Sequence, residues 1–154
     1  MEQQETAEGV SMKEVTLAGA ITFNKWREEH LDQDIVIENL DLTKLDLSEM
    51  DFTGVIFENT DFSYCKMHES IFRGARISNC CFDFVNMHNC GFNGIKNLFV
   101  DAKKFPKYVS YKESPAEITH SWFQYADLKF SNFKGVLIKE VSFLGSNLEE
   151  CCFE

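Results

Sequence analysis

The sequence predicts an all-β solenoid, and three observations carry the prediction. A large apolar residue recurs at every fifth position, from Ile37 through Leu42, Leu47, Phe52, Phe57 and Phe62 to Phe92. Two residues before each stands a second, usually smaller one, as at Ile35, Val55, Thr60, Cys65, Ser70 and Ala75. Neither a helix, with its period of 3.6, nor a plain strand, with its period of 2, generates a period of five. A short extended piece followed by a turn does, because residues i and i−2 then point the same way, and its repetition coils the chain. The third observation sets the size of a coil. Glycine follows the central residue by two at Gly54, Gly74 and Gly94, and asparagine at Asn39, Asn59 and Asn79, each column spaced by twenty residues. A fifteen-residue coil would stack Gly54 on Glu69 and lose both columns, so four units make one coil. Gly54, Gly74, Gly94 and, later, Gly135 predict one repeated corner at positive φ, where glycine is least costly.

Units such as Leu45-Asp46-Leu47-Ser48-Glu49 and Ala126-Asp127-Leu128-Lys129-Phe130 resemble the pentapeptide-repeat consensus, A-(D/N)-L-x-x. The resemblance covers about two-thirds of the chain. It implies a right-handed quadrilateral β-helix whose i and i−2 side chains fill the interior. Frequent Phe at the centre, and Cys, Ser or Thr in place of Ala at i−2, are departures within the habit of that family.

The elements follow in order. Residues 1–16 carry Glu2, Glu5, Glu8 and Glu14 with little apolar content, which predicts a mobile acidic tail. Residues 17–34 lack the five-residue rhythm. Phe23, Trp26 and His30 fall on one side of a helix, with Thr22 as its N-cap, which predicts an N-terminal capping α-helix. Its task is to cover the open first coil at Ile37, Leu42, Leu47 and Phe52. Residues 35–94 supply coils 1–3. The rhythm lapses over residues 95–115 and resumes through Ile118, Phe123, Leu128, Phe133, Ile138, Phe143, Leu148 and Phe153, giving coils 4–5 in residues 116–154. The phase shifts by one residue, yet the faces stay in order, because Ile118 and Ile138 extend the column of Ile37, Phe57 and Ile77. The whole is about five four-sided coils with one long inserted loop.

Composition narrows the class of protein. A chain of 154 residues predicts one domain, and fifteen Phe can build its core. It has no apolar run of membrane-spanning length, and its acidic start is unlike a signal peptide, so a soluble cytoplasmic protein without a membrane partner is expected. Stacking places Cys65 on Val85, Cys80 on Thr60 and Cys90 on Ser70, so no stacked pair there forms a disulfide. Cys65, Cys80, Cys90 and Cys151 are expected as small interior fillers, with Cys81 and Cys152 facing outward. No metal-site spacing, phosphate loop, nucleophile elbow or dinucleotide fingerprint is present. His68 and His88 stack in an outward column with no recognisable nucleophile beside them. No catalytic residue, metal or cofactor is therefore expected.

Two stretches stand out as partner-binding candidates. The inserted loop sets Lys96, Lys103, Lys104, Lys107 and Lys112 against Asp101 and Glu113, a local charge of +3 in a chain of net charge −10. Long insertions in compact domains are commonly functional. Lys103, Lys104 and Lys107 would steer an acidic partner surface and Phe105 and Tyr108 would anchor it. The second candidate is an outward column, Lys44, Tyr64, Phe84, Tyr125 and Gly145, whose three aromatics form a ladder with Trp122 on the same face. The acids Asp41, Asp46, Asp51 and Asp61 crowd the first two coils, where ordinary solvated charge accounts for them.

These features predict a non-enzymatic rod that binds a protein target without binding nucleic acid, masking or regulating that target as an immunity or regulatory factor does. Two other classes compete. The resemblance also extends to quinolone-resistance and topoisomerase-inhibiting members of the family, acidic rods that imitate duplex DNA, some with loops that contact gyrase. A secreted bacterial effector, or a fragment of one, is the third. Ile138, Phe143, Leu148 and Phe153 face an open end, which predicts a homodimer through the C-terminal coil or a longer native chain.

Overall fold

Every rung of the coil is built from four five-residue units, one to a face, and the rungs stack in parallel. The computed structural model of the protein describes residues 11–92 and 116–153. Five three-residue strands, β1 (Val36–Glu38), β2 (Ile56–Glu58), β3 (Arg76–Ser78), β4 (Glu117–Thr119) and β5 (Leu137–Lys139), form one parallel sheet in sequence order. Three further columns of parallel bridges run beside it: Asp41, Asp61, Cys81, Trp122 and Ser142; Asp46, Lys66, Asn86, Asp127 and Asn147; and Asp51, Ile71, Gly91, Asn132 and Cys152. The coil is therefore a quadrilateral β-helix of five rungs. The strand face comes first, followed by the second, third and fourth faces in chain order. Pairing advances by 20 residues between most rungs, as Ile37↔Phe57 and Phe57↔Ile77 show. From Ile77 to Ile118 it advances by 41, which is 21 more, and the faces keep their register. The loop expected over residues 95–115, and with it Gly94, lies outside the described residues.

The central residues fill the interior. Phe62, Phe82, Phe123 and Phe143 stack beneath the second face with ring centroids 4.8, 4.6 and 5.4 Å apart. Phe52, Phe72, Phe92, Phe133 and Phe153 do the same beneath the fourth face at 5.2, 4.9, 4.4 and 5.0 Å. These spacings match the roughly 4.8 Å between hydrogen-bonded strands, because each ring rides on its own rung.

The small i−2 residues also act as hydrogen-bond donors. Cys65 donates its thiol to the carbonyl of Leu42, Cys90 to Met67 and Cys151 to Leu128, each at 2.9 Å. Ser70 and Ser131 donate to the carbonyls of Leu47 and Met87 in the same way. In these five the acceptor is the central residue of the rung before, whereas Cys80 and Ser121 donate to the carbonyls of Ser78 and Thr119, so each buried hydroxyl or thiol stays satisfied inside an apolar core. All six cysteines are free, with Cys65, Cys80 and Cys90 buried and Cys152 exposed. Burial pushes the Cys65 thiol up to about 11 and those of Cys80 and Cys90 up to about 12. Iodoacetamide at pH 8 is therefore expected to label Cys152 rapidly and to leave these three unmodified until the protein unfolds. Mass spectrometry of timed digests checks this.

The corners correct the reading of the glycine column. Gly54, Gly74 and Gly135 do have positive φ, at 70°, 62° and 71°. So, however, does the residue two after every other described central position, including Asn39 at 54°, Lys44 at 63°, Tyr64 at 63° and Phe84 at 57°. A left-handed residue is needed at all four corners to turn the chain, so glycine marks no special one. No described corner carries a β-branched side chain, the type that tolerates this region least. Gly74→Val is accordingly expected to cost about 1–3 kcal/mol, while Gly74→Asn stays within about 1 kcal/mol of wild type. Urea unfolding of the two variants checks it.

The N-terminal segment differs from its predicted form in three respects. Residues assigned to the tail form a helix, α1 (Met12–Leu17), because Met12, Val15 and Thr16 bury one face; residues 1–10 lie outside the described residues. The expected single helix over 17–34 is shorter, α2 (Ala20–Glu29). Gly19, at φ 84°, breaks the chain between the two helices and occupies the N-cap position assigned to Thr22, which lies inside α2. The buried stripe of α2 and its end comprises Phe23, Arg27 and His30, with Trp26 half-buried.

This helix completes the first coil with side chains. The Phe23 ring meets Phe52 at 5.3 Å, continuing the aromatic stack upward. Asn24 accepts the Asp51 N–H at 2.8 Å and donates to the Glu49 carbonyl at 2.9 Å, so its amide stands in for the peptide group of a missing rung. Arg27 donates to the carbonyls of His30 and Thr53, both at 2.9 Å. At the other end Ile138, Leu148 and Phe153 are exposed.

Candidate partner-binding surface

A left-handed corner throws its side chain away from the coil, and the rung spacing then stacks equivalent side chains. Tyr64, Phe84 and Tyr125 occupy the corner after the second face. The Tyr64 and Phe84 rings lie 4.9 Å apart with planes 3° from parallel, and those of Phe84 and Tyr125 lie 5.1 Å and 15° apart. They are 55%, 47% and 54% exposed. Trp122, 45% exposed, stands on the same face in the bridge column between Cys81 and Ser142. Tyr64, Phe84 and Tyr125 thus form an exposed stacked ladder, with Trp122 exposed elsewhere on the same face.

Gly145 ends this ladder, and its lack of a side chain is what seats Tyr125. A Cβ at residue 145 would lie 2.6 Å from two atoms of the Tyr125 ring. The ring is therefore flush against the last corner, and the ladder has a fixed floor.

The carboxylates crowding the first coils do more than carry charge. Oδ1 of Asp41, Asp46, Asp51 and Asp61 accepts the main-chain N–H of Thr43, Ser48, Thr53 and Ser63 respectively, at 2.8–3.2 Å. Hydrogen bonding from Thr43, chiefly its main chain, lowers the Asp41 carboxyl below the ordinary aspartate range, and hydrogen bonding from Ser48, chiefly its hydroxyl, does the same for Asp46. Asn86, Asn132 and Asn147 accept from His88, Lys134 and Glu149 in the same geometry without any charge. The position thus selects a side-chain acceptor, and the sequence signal was Asp or Asn two residues before Ser or Thr, a turn motif. Asp83 reaches across a rung to accept the Gln124 N–H at 2.8 Å, which brings its carboxylate beside the step from Phe84 to Tyr125.

The third face presents the histidines. His68 Nδ1 lies 2.8 Å from the Ser48 hydroxyl, so a hydroxyl does stand beside it, contrary to the reading of an unpartnered column. Asp46 engages Ser48 instead of orienting the imidazole, and the three do not form a proton relay. His88 packs edge-on against Phe130, and Lys129 lies over the Phe130 ring while pairing with Glu149 at 2.8 Å. Among the described residues no group of three His, Cys, Asp or Glu is placed to hold a metal ion, and no helix is long and apolar enough to cross a membrane. The loop candidates Lys103, Lys104, Phe105, Lys107 and Tyr108 lie outside the described residues.

Comparison with known proteins agrees with this architecture. A family model described as pentapeptide repeats matches residues 56–94 in eight copies. Among solved structures, the chain is similar to a trypsin-treated form of QnrB1, a plasmid-mediated fluoroquinolone resistance protein, with a TM-score of 0.56 and 17% identity. That match covers 73% of this chain and 50% of QnrB1, so the chain spans half the length of that protein. It is also similar to Rfr23, a pentapeptide repeat protein from the cyanobacterium Cyanothece 51142, with a TM-score of 0.50 and 12% identity over 86% of this chain and 95% of that one. Likeness at these identities speaks to the fold. No curated protein matches. The repeats matched over residues 56–94 continue in register through all five rungs, so the chain has the fold of a pentapeptide-repeat β-helix.

Proposed function

We propose that this chain is a non-enzymatic protein-binding rod that masks or regulates a specific protein target, in the manner of an immunity or regulatory factor. The observation that carries this reading is the exposed, rigidly stacked ladder of Tyr64, Phe84 and Tyr125 with Trp122 beside it. Aromatic side chains held in one rotamer lose little entropy on binding, and they dominate the energetics of protein interfaces. Lys103, Lys104, Phe105, Lys107 and Tyr108 supply a second contact, and the apolar C-terminal coil pairs two copies of the rod.

The alternative, a topoisomerase modulator that imitates DNA, draws on net charge and on the name of one structural neighbour. It is weakened by the turn-forming role of Asp41, Asp46, Asp51 and Asp61, since charge that serves the fold needs no mimicry to explain it. An affinity pull-down from host lysate tests the proposal. Wild type is run beside a ladder variant, Tyr64→Asn with Phe84→Asn and Tyr125→Asn, and a rod in which Gly94 is joined directly to Ala116. Capture of a protein by wild type that falls sharply with the ladder variant supports the reading. Equal capture by all three overturns it, and captured gyrase that duplex DNA displaces transfers the assignment to the mimic class.

A further inference from the structure

We infer that the ladder face receives a basic polypeptide segment in extended conformation. The inference rests on the protein-binding reading above and names the chemistry of the partner. Because Tyr64, Phe84 and Tyr125 stack nearly parallel, both π faces of Phe84 and Tyr125 and one face of Tyr64 are turned on a neighbouring ring or on Gly145, which leaves mainly ring edges for a ligand. Ring edges carry partial positive charge, so they suit carbonyl oxygens and apolar side chains better than a bare cation. An aromatic cage for an ammonium group would need the faces open. A main chain, with carbonyls and side chains in alternation, fits the edges.

Charge beside the rings sets the sign of the partner. Across coils two to four the outward positions of this face carry Asp61 and Asp83 and no lysine or arginine. Lys44 occupies the ladder's column one rung before Tyr64, and Lys66 lies on the neighbouring face. One oxygen of Asp61 and one of Asp83 accepts from the main chain, at 2.8 Å in each case, and each carboxylate has a second oxygen. Arg or Lys side chains of a bound strand can therefore pair there while its intervening residues lie on the rings. Two rung steps span about 10 Å, the length of roughly three extended residues. Phosphodiester backbones are repelled by the same carboxylates.

Fluorescence anisotropy with a labelled eight-residue peptide of alternating Arg and Val, compared with a Glu and Val peptide and a Gly and Ser peptide, provides the test. Wild type is expected to bind the Arg and Val peptide and neither of the others. The triple Asn ladder variant, whose new side chains suit left-handed corners as Asn39 and Asn59 do, is expected to bind at least about tenfold more weakly with an unchanged melting temperature. Asp61→Asn with Asp83→Asn keeps the turn acceptors and is expected to weaken binding severalfold and flatten its salt dependence. Equal binding to wild type and ladder variant, preference for the Glu and Val peptide, or no binding of the basic peptide each overturns the inference. Should the ladder variant lose its lysate partner while the basic peptide fails to bind, the protein-binding reading stands and only the assigned chemistry falls.

Discussion

Phe72→Ala is expected to lower the free energy of unfolding by about 3–5 kcal/mol, the range of buried aromatic truncations. Phe72 is fully buried between Phe52 and Phe92, at 5.2 and 4.9 Å. The cavity left behind cannot shrink by drawing the rungs together, because main-chain hydrogen bonds such as Phe72 N–H to Gly91 at 2.8 Å fix their spacing. The cost therefore belongs near the upper end of the range. Phe72→Leu should cost less than about 1.5 kcal/mol, since leucine already serves at the equivalent Leu42, Leu47 and Leu128. Phe153, in the same stack but 46% exposed at the open end, supplies the contrast, and its truncation to Ala should cost less than half as much as that of Phe72. Urea denaturation of the three variants settles the matter. Equal losses for Phe72→Ala and Phe153→Ala would show that the interior stack does not carry the stability assigned to it.

Arg27→Ala is expected to cost about 2–4 kcal/mol, through lost packing and through two carbonyls deprived of a donor. Arg27 is only 1% exposed; one Nη donor closes the end of α2 on the His30 carbonyl and the other joins the helix to the first coil at Thr53. Lysine cannot restore this pair, because one ammonium lacks the planar fork that reaches two acceptors at once. The loss should be local first. Hydrogen exchange should speed up in α2 and at Asp51, whose N–H is held by Asn24, before it changes in coils three to five. A variant with uniform acceleration along the whole rod would contradict a separate capping role.

The repeating part of the molecule was legible because each inference could be checked against its own copies. Twenty-residue columns define the four faces, and the same arithmetic, carried across the 21-residue insertion, stacks Tyr64, Phe84 and Tyr125. The cap was not legible in the same way. Asn24 and Arg27 act on residues 25 to 27 positions away, on the edge of a rung that has no predecessor, and no periodicity points there. Gly19 could have been read as a break, yet Phe23, Trp26 and His30 also fit one continuous helix. The glycine column was a true signal of positive φ at one corner, and Asn39, Asn59 and Asn79 marked a second such corner in the same sequence. Asp46 before Ser48 and Asp61 before Ser63 carried the turn signal openly, but composition alone reads them as surface charge.

Hydroxyl-radical footprinting of the rod, free and bound to its captured partner, tests the central claim most directly. Tyr64, Phe84, Trp122 and Tyr125 are exposed and readily oxidised, as are Phe130 and Leu137 away from the ladder. Binding through the ladder predicts that oxidation of the first four falls severalfold while that of Phe130 and Leu137 is unchanged. Full oxidation of Tyr64, Phe84, Trp122 and Tyr125 in the complex, with protection elsewhere, would show that the partner binds another surface.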